Sequence, residues 1–364
     1  MKLSDFEGTR ANNFTLLRFV FAFAVLIGHS FPITGNGSDP ISMFFLPYTW
    51  IGQIAVSGFF AISGYLVTAS IVRRSLLDFI VSRVLRLYPA IIIYSLVAIL
   101  IIGPLSVNVT MYEYFKAKPW INLMNSTLLQ WIYNLPYAFS DNPIPGATNG
   151  SAWTLSVELR CYVLILILGF WRVFDTRSRA NVALFVLLYL VQVNYISIPL
   201  FGSSANYADP LKFFLMGSLF WVNRKLVYLN WVLAFVTILC VIFSLKTGFY
   251  SFYNYLYPFC LVYLIFMFVY RIWHFDMDRF GDISYGIYIY AWPIQQMVWA
   301  PGQSAYINIL FSTLIVFPMA YLSWRFIEKP ALNIREFTSS PSSIHWKLKI
   351  PIFRQITADG KGEN

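Results

Sequence analysis

The chain has 364 residues, 58% of them hydrophobic and only 12% charged, with a mean hydropathy of +0.63 and a formal net charge of +10. A soluble domain carries about 25% charged residues, so this composition excludes an ordinary water-soluble globule and points to a membrane. The 19% aromatic content suits interfacial belts.

The first thirteen residues are polar and mixed in charge. No small-residue cleavage site follows the first apolar run, so that run is expected to remain as an anchor. Apolar runs able to cross a core of ~30 Å fall near 14–31, 50–70, 88–104, 153–171, 181–200, 211–222, 230–246, 255–271, 283–299 and 305–324. The fold class expected is therefore all-α, a polytopic protein of ten transmembrane helices, with a short sixth span. With both termini on the cytoplasmic side, 20 of the 26 Lys and Arg residues fall on inner segments, and the outer loops keep Lys116, Lys118 and Lys246. Such an asymmetry sets orientation, so the positive charge reflects topology and implies no nucleic-acid partner. The long connection 105–152, rich in aromatic residues, is expected to cap something. Residues 1–335 read as one transmembrane domain and 336–364 as a short basic cytoplasmic tail. Cys161, Cys240 and Cys260 lie in apolar segments without metal or redox spacing, so they read as spectators and no metal is expected.

Several spans carry residues that membrane crossing does not require. Arg18 and His29 are eleven residues apart, which puts them on one helix face and roughly 16 Å apart along the axis. Alone, Arg18 reads as a snorkelling anchor and His29 as an interfacial histidine; a shared face argues for a joint purpose. Glu158 and Arg160 sit in the fourth span, about 200° apart around the helix, so each needs its own partner. Glu158 is expected near the depth of His29, where a Glu–His pair would orient the imidazole as a general base; a structural Glu–Arg pair is the alternative. Ser57, Gly58, Ser63 and Gly64 permit close approach of a helix or a ligand. Arg83 and Arg86 share a face at the entrance of span three, fit to grip phosphates or to serve as topology charges.

In series these pieces resemble the acyltransferase-3 family of integral membrane acyltransferases. Arg18 with ten residues before His29 resembles the first-helix motif, SGFFAISGYL (57–66) the second, and SRVLRLYP (82–89) the Arg-x-x-Arg segment. WTLSVE (153–158), ISYGIYIYAWPIQQ (283–296) and RFIEKPAL (325–332) resemble three further signatures. Ala291 stands where many members carry a histidine, which leaves His29 the histidine best placed for chemistry. The resemblance implies a stand-alone O-acetyltransferase of the bacterial inner membrane. Relatives use acetyl-coenzyme A to acetylate hydroxyls of surface polysaccharides such as the O-antigen of lipopolysaccharide, or of lipid-linked or secreted oligosaccharides. On that reading Arg18, Arg83 and Arg86 hold the acetyl-CoA donor, His29 is the base and Glu158 orients it. Trp153 stacks on the acceptor sugar, and Arg160 or a backbone N–H stabilises the oxyanion. An acyl-histidine intermediate is equally compatible. A secondary transporter or flippase with an Arg/His/Glu relay is the alternative function, although the sequence shows no inverted repeat.

Overall fold

A computed structural model describes residues 1–9, 11–45, 49–121, 134–194, 205–248 and 250–338. Its long elements are all helices: α1 (Phe14–Ile33), α2 (Ile51–Arg73), α3 (Leu76–Val97), α4 (Trp153–Phe170), α5 (Arg177–Asn194), α6 (Ala205–Val222), α7 (Trp231–Thr247), α8 (Tyr250–Arg271), α9 (Ser284–Met297) and α10 (Ala305–Ser323). A helix stands at each apolar run of the sequence. Five are long and apolar enough to cross a membrane by length and composition: Phe14–Ile33, Ile51–Arg73, Leu76–Ser106, Trp153–Phe170 and Ala305–Ile334. Two of these pass through a π-helical turn, at Ala98–Ile102 and Trp324–Glu328.

Among the helix starts, two differ most from those read in the sequence. The third helix starts at Leu76, twelve residues early, because Ser75 caps it by accepting from the Asp78 N–H. Arg83 and Arg86 therefore lie two to three turns inside a helix, not at its entrance. The sixth helix starts at Ala205, not 211, and its first turns hold Asp209 paired with Lys212 at 3.1 Å. An i,i+3 ion pair sustains helix through residues that hydropathy alone leaves out.

Helix α2 lies at the centre, packed against α1, α4 and α6. Gly64 faces the Phe214 carbonyl and Gly217 the Ala61 carbonyl so closely that a Cβ at either position would come within about 2 Å of an oxygen (1.9 and 2.0 Å). The two backbones touch, as small residues in apolar helices allow, and Thr68 donates to Ser218 at 2.9 Å beside the contact. At the end of the bundle that carries the N-terminus, the Leu3 N–H donates to the Val227 carbonyl and the Leu229 N–H to the Met1 carbonyl. Asn13 ties α1 to the α8–α9 connection by donating to the Trp273 carbonyl and accepting from the Phe275 N–H.

Candidate functional site

A cavity of about 520 Å³ opens between α1, α2, α3, α4 and α9. Arg18, Arg83, Arg86, Glu158, Tyr162 and Asp282 supply its polar wall; Val56, Phe59, Thr154 and Tyr288 line its far end. The polar wall is built around one carboxylate that sequence reasoning missed. Asp282 Oδ2 accepts from Arg86 at 2.8 Å and pairs with Arg18 at 3.3 Å, while its Oδ1 accepts from the Ser284 hydroxyl at 2.5 Å. Gly281, just before it, has φ +85°, and the Trp324 indole nitrogen lies 2.0 Å from where a Cβ would be. Only glycine lets the chain turn there and aim Asp282 at the arginines. Burial alone would push the Asp282 carboxyl up, but the Arg18 and Arg86 guanidiniums hold it well below the usual carboxylate range.

The three arginines are not equivalent. Arg86 is the most engaged, with Asp282, with Glu328 at 3.8 Å and with the Tyr285 ring 5.5 Å away. Glu328 ends the π-helical turn of Trp324–Glu328 and is 2% exposed, so RFIEKPAL contributes a buried counter-ion. Arg18 also donates to Thr15 at 3.3 Å, yet its Nε is buried without a hydrogen-bond partner. Arg83 faces the Phe79 and Tyr162 rings and pairs with no carboxylate among the described residues; its Nε too is buried and unpartnered. A wall of three cations with two orphaned buried donors fits an anionic group such as a phosphate.

The expected Glu158–His29 pair is not formed. Glu158 accepts from the Tyr162 hydroxyl and from Ser63 at 3.4 Å, inside the cavity. His29 lies at the opposite end of α1 from Arg18, and its Nδ1 is 3.3 Å from the Ser151 hydroxyl. Ser151 precedes Glu158 by seven residues, roughly 10 Å of helical rise. The residue at the depth of His29 is therefore this serine, just before α4 begins, and Glu158 lies about two turns further along.

Two indole rings flank His29: Trp50 at 5.3 Å and Trp292 at 4.8 Å between ring centroids. Trp153, expected to face the acceptor, is half-buried and packs against the hydrophobic core. Arg160 is half-buried on a face of α4 away from Glu158 and Tyr162 and does not line the cavity. The connection before α4 covers the His29 end, as expected of a cap. Trp292 donates to the Ala147 carbonyl at 2.9 Å, Gln296 to Ile144 at 2.9 Å, and Asn149 to Ile289 at 2.9 Å. Gln295 ties α9 to α1 by donating to the Leu26 carbonyl and to Ser30, each at 2.6 Å. Trp50 and Asp282 carried no periodic signal, but Trp292 and Glu328 lie within recognisable signatures.

Comparison with known proteins bears on the family. The model of the acyltransferase domain family that the motifs resemble matches residues 12–327. The chain is 28% identical over 341 residues to an O-acetyl transferase of Shigella phage Sf6, covering 89% of this chain and 97% of that one. It is 27% identical over 353 residues to nodulation protein 10 of Rhizobium leguminosarum bv. viciae, covering 89% and 94%. No solved structure matches it. A match over nearly the whole chain makes this protein an acyltransferase belonging to the acyltransferase-3 family.

Proposed function

We propose that the protein is a membrane O-acetyltransferase that moves an acetyl group from acetyl-CoA to a hydroxyl of a cell-surface polysaccharide or a lipid-linked or secreted oligosaccharide. One observation carries the reading. A cavity walled by Arg18, Arg83 and Arg86 stops one layer of side chains short of a histidine flanked by two indoles. The name of the phage relative, O-acetyl transferase, supports the oxygen acceptor and the acetyl group.

The sequence supports ten crossings of a bacterial inner membrane with both termini in the cytoplasm, because the basic residues fall so unevenly along the chain. In that orientation the arginine wall faces the compartment that holds acetyl-CoA. Arg83, with no carboxylate partner among the described residues, is the first candidate for a donor phosphate, and Arg18 the second. Glu158 belongs to the donor cavity, where it fixes Tyr162 beside Arg83.

His29 acts as the general base. It takes the proton of the acceptor hydroxyl as that oxygen attacks the thioester carbonyl; a C–O bond forms, the C–S bond breaks, and the thiolate leaves with the proton returned to it. Trp50 and Trp292 present flat apolar faces suited to a sugar ring. An acyl-histidine route uses the same residues, with the imidazole nitrogen attacking first. The oxyanion donor is a backbone N–H or Arg160; Arg160, away from the cavity, requires a side-chain rearrangement to serve.

The test is glycan mass spectrometry on native host cells with and without the gene, followed by His29→Ala. A mass increment of one acetyl group that depends on the protein and vanishes in the variant supports the reading. Unchanged glycans together with His29-dependent substrate flux in proteoliposomes would replace it with transport.

A further inference from the structure

We infer that Tyr288, Phe59 and Thr154 form the layer that sets the length of the acyl group the protein transfers, admitting acetyl and rejecting longer chains. The inference rests on the proposed donor route and adds to it a determinant of donor specificity.

The cavity reaches Val56 on α2, Thr154 on α4 and Tyr288 on α9, and goes no further. The groups around His29 lie just beyond on the same elements: Trp50 before α2, Ser151 before α4, and Trp292 on α9. Thr154 lies three residues after Ser151 and Trp292 four after Tyr288, roughly 4.5 and 6 Å of helical rise. One layer of side chains therefore stands between the cavity and the histidine.

That layer is held shut by specific contacts. The Tyr288 hydroxyl donates to the Ser151 carbonyl at 3.0 Å and lies 2.6 Å from the Thr154 hydroxyl. The edge of the Phe59 ring meets the Tyr288 ring at 5.9 Å, and Phe21 backs Phe59 at 5.7 Å. Tyr288 is 8% and Thr154 4% exposed, while Phe59 is half-buried where it lines the cavity. A thioester that is to meet a hydroxyl beside His29 must bring its carbonyl up to this layer, with its acyl tail lodged between the rings. A two-carbon group puts a single methyl there. Each further methylene has to fit between rings that are already in contact, and one misfitted methylene in an apolar site changes selectivity about 10- to 200-fold.

The experiment uses membranes from native host cells, which contain the natural acceptor, carrying the full chain or its variants. They receive acetyl-CoA, propionyl-CoA or butyryl-CoA, each labelled in the acyl group, and incorporation into the glycan fraction is counted. The wild type is expected to use butyryl-CoA at least about 100-fold less well than acetyl-CoA. Phe59→Ala opens the layer and should raise the butyryl-to-acetyl ratio about tenfold or more. Tyr288→Phe keeps the ring, removes its tethers and, being nearly isosteric, should fold; it should move the ratio the same way. The inference is overturned if both variants transfer acetyl groups with the wild-type ratio, or if the wild type already uses butyryl-CoA as well as acetyl-CoA. Absence of label from every donor with the wild type would refute the donor route itself and this inference with it, whereas an unchanged ratio refutes the inference alone.

Discussion

The Ser151 hydroxyl lies 3.3 Å from His29 Nδ1, and Ser151 is itself anchored from both sides. Its carbonyl accepts from Tyr288, its N–H donates to the Asn149 side chain at 3.1 Å, and Asn149 in turn donates to the Ile289 carbonyl on α9. If Nδ1 carries the proton and donates to Ser151, Nε2 keeps its lone pair and is the basic nitrogen. In that tautomer the serine would do for the imidazole what a carboxylate does in other sites, without supplying a charge.

Ser151→Ala is expected to lower kcat roughly 5- to 10-fold, the worth of one hydrogen bond of about 1 kcal/mol, while the KM for acetyl-CoA stays put. Ser151→Thr should recover most of the loss. His29→Ala should cost far more, about 10²–10⁴-fold, as removal of a general base does. Steady-state kinetics on purified protein separates the two. A Ser151→Ala defect seen in donor KM rather than kcat would place the serine outside the chemistry.

Glu158→Gln should raise donor KM, because Glu158 lies with Tyr162 on the wall shared with Arg83. Combined with Ser151→Ala, the losses should multiply, since the residues share no partner and lie roughly 10 Å apart along α4. A double variant no worse than the poorer single one would restore the Glu158–His29 unit that the sequence invited.

That mistaken pairing shows where the sequence stops being legible. Apolar runs located every long helix, and the eleven-residue spacing put Arg18 and His29 on α1. Depth along α4 was misjudged because the partner of His29 is a small polar residue in the Gly-rich stretch before the helix, where no periodicity points. Asp282 and Glu328 escaped for a different reason. A lone acid beside a glycine or inside a basic segment looks like a surface residue until the fold brings it an arginine, or in the case of Asp282 two. The Trp50 ring was hidden among 12 tryptophans that composition alone assigns to interfaces, whereas Trp292 stood within ISYGIYIYAWPIQQ.

Arg83 and Arg86 looked alike in the sequence, yet their replacements should separate. Arg83→Ala removes a guanidinium with no carboxylate partner among the described residues, so donor affinity should fall with little change in melting temperature. Arg86→Ala strips one partner from two buried carboxylates, and breaking such a pair costs about 3–5 kcal/mol. It should lower the melting temperature in detergent before any binding defect can be attributed to it. Calorimetric donor titration beside thermal melts tests both, and equal melts for the two variants would return Arg86 to a simple topology charge.

Asp282 supplies a pH prediction. Its carboxyl is held below the usual range in the folded protein, so its ion pairs add stability wherever pH exceeds the unfolded value of about 3.9. That stability disappears as pH falls through the depressed folded value. Melts of wild type and Asp282→Asn should therefore stay apart from pH 8 to pH 5 and converge only in stronger acid. Convergence already between pH 7 and pH 5 would mean that burial, not the arginines, governs this carboxyl.

Orientation is the most direct expectation to test, because the donor route depends on which end of the bundle faces the cytoplasm. Ser140 is exposed in the connection that covers the His29 end, and Ser178 is exposed near the start of α5, among Arg172, Arg177 and Arg179. A cysteine at Ser140 should react with an impermeant thiol reagent added outside intact cells, whereas one at Ser178 should react only after the membrane is opened. Ser203, a second outer site, lies outside the described residues and should behave as Ser140 does. The native thiols interfere little, since Cys161 and Cys260 are buried and Cys240 is half-buried in α7. Labelling of the Ser178 variant from outside would invert the protein. It would turn the arginine wall away from the cytoplasm and leave acetyl-CoA without access to the cavity.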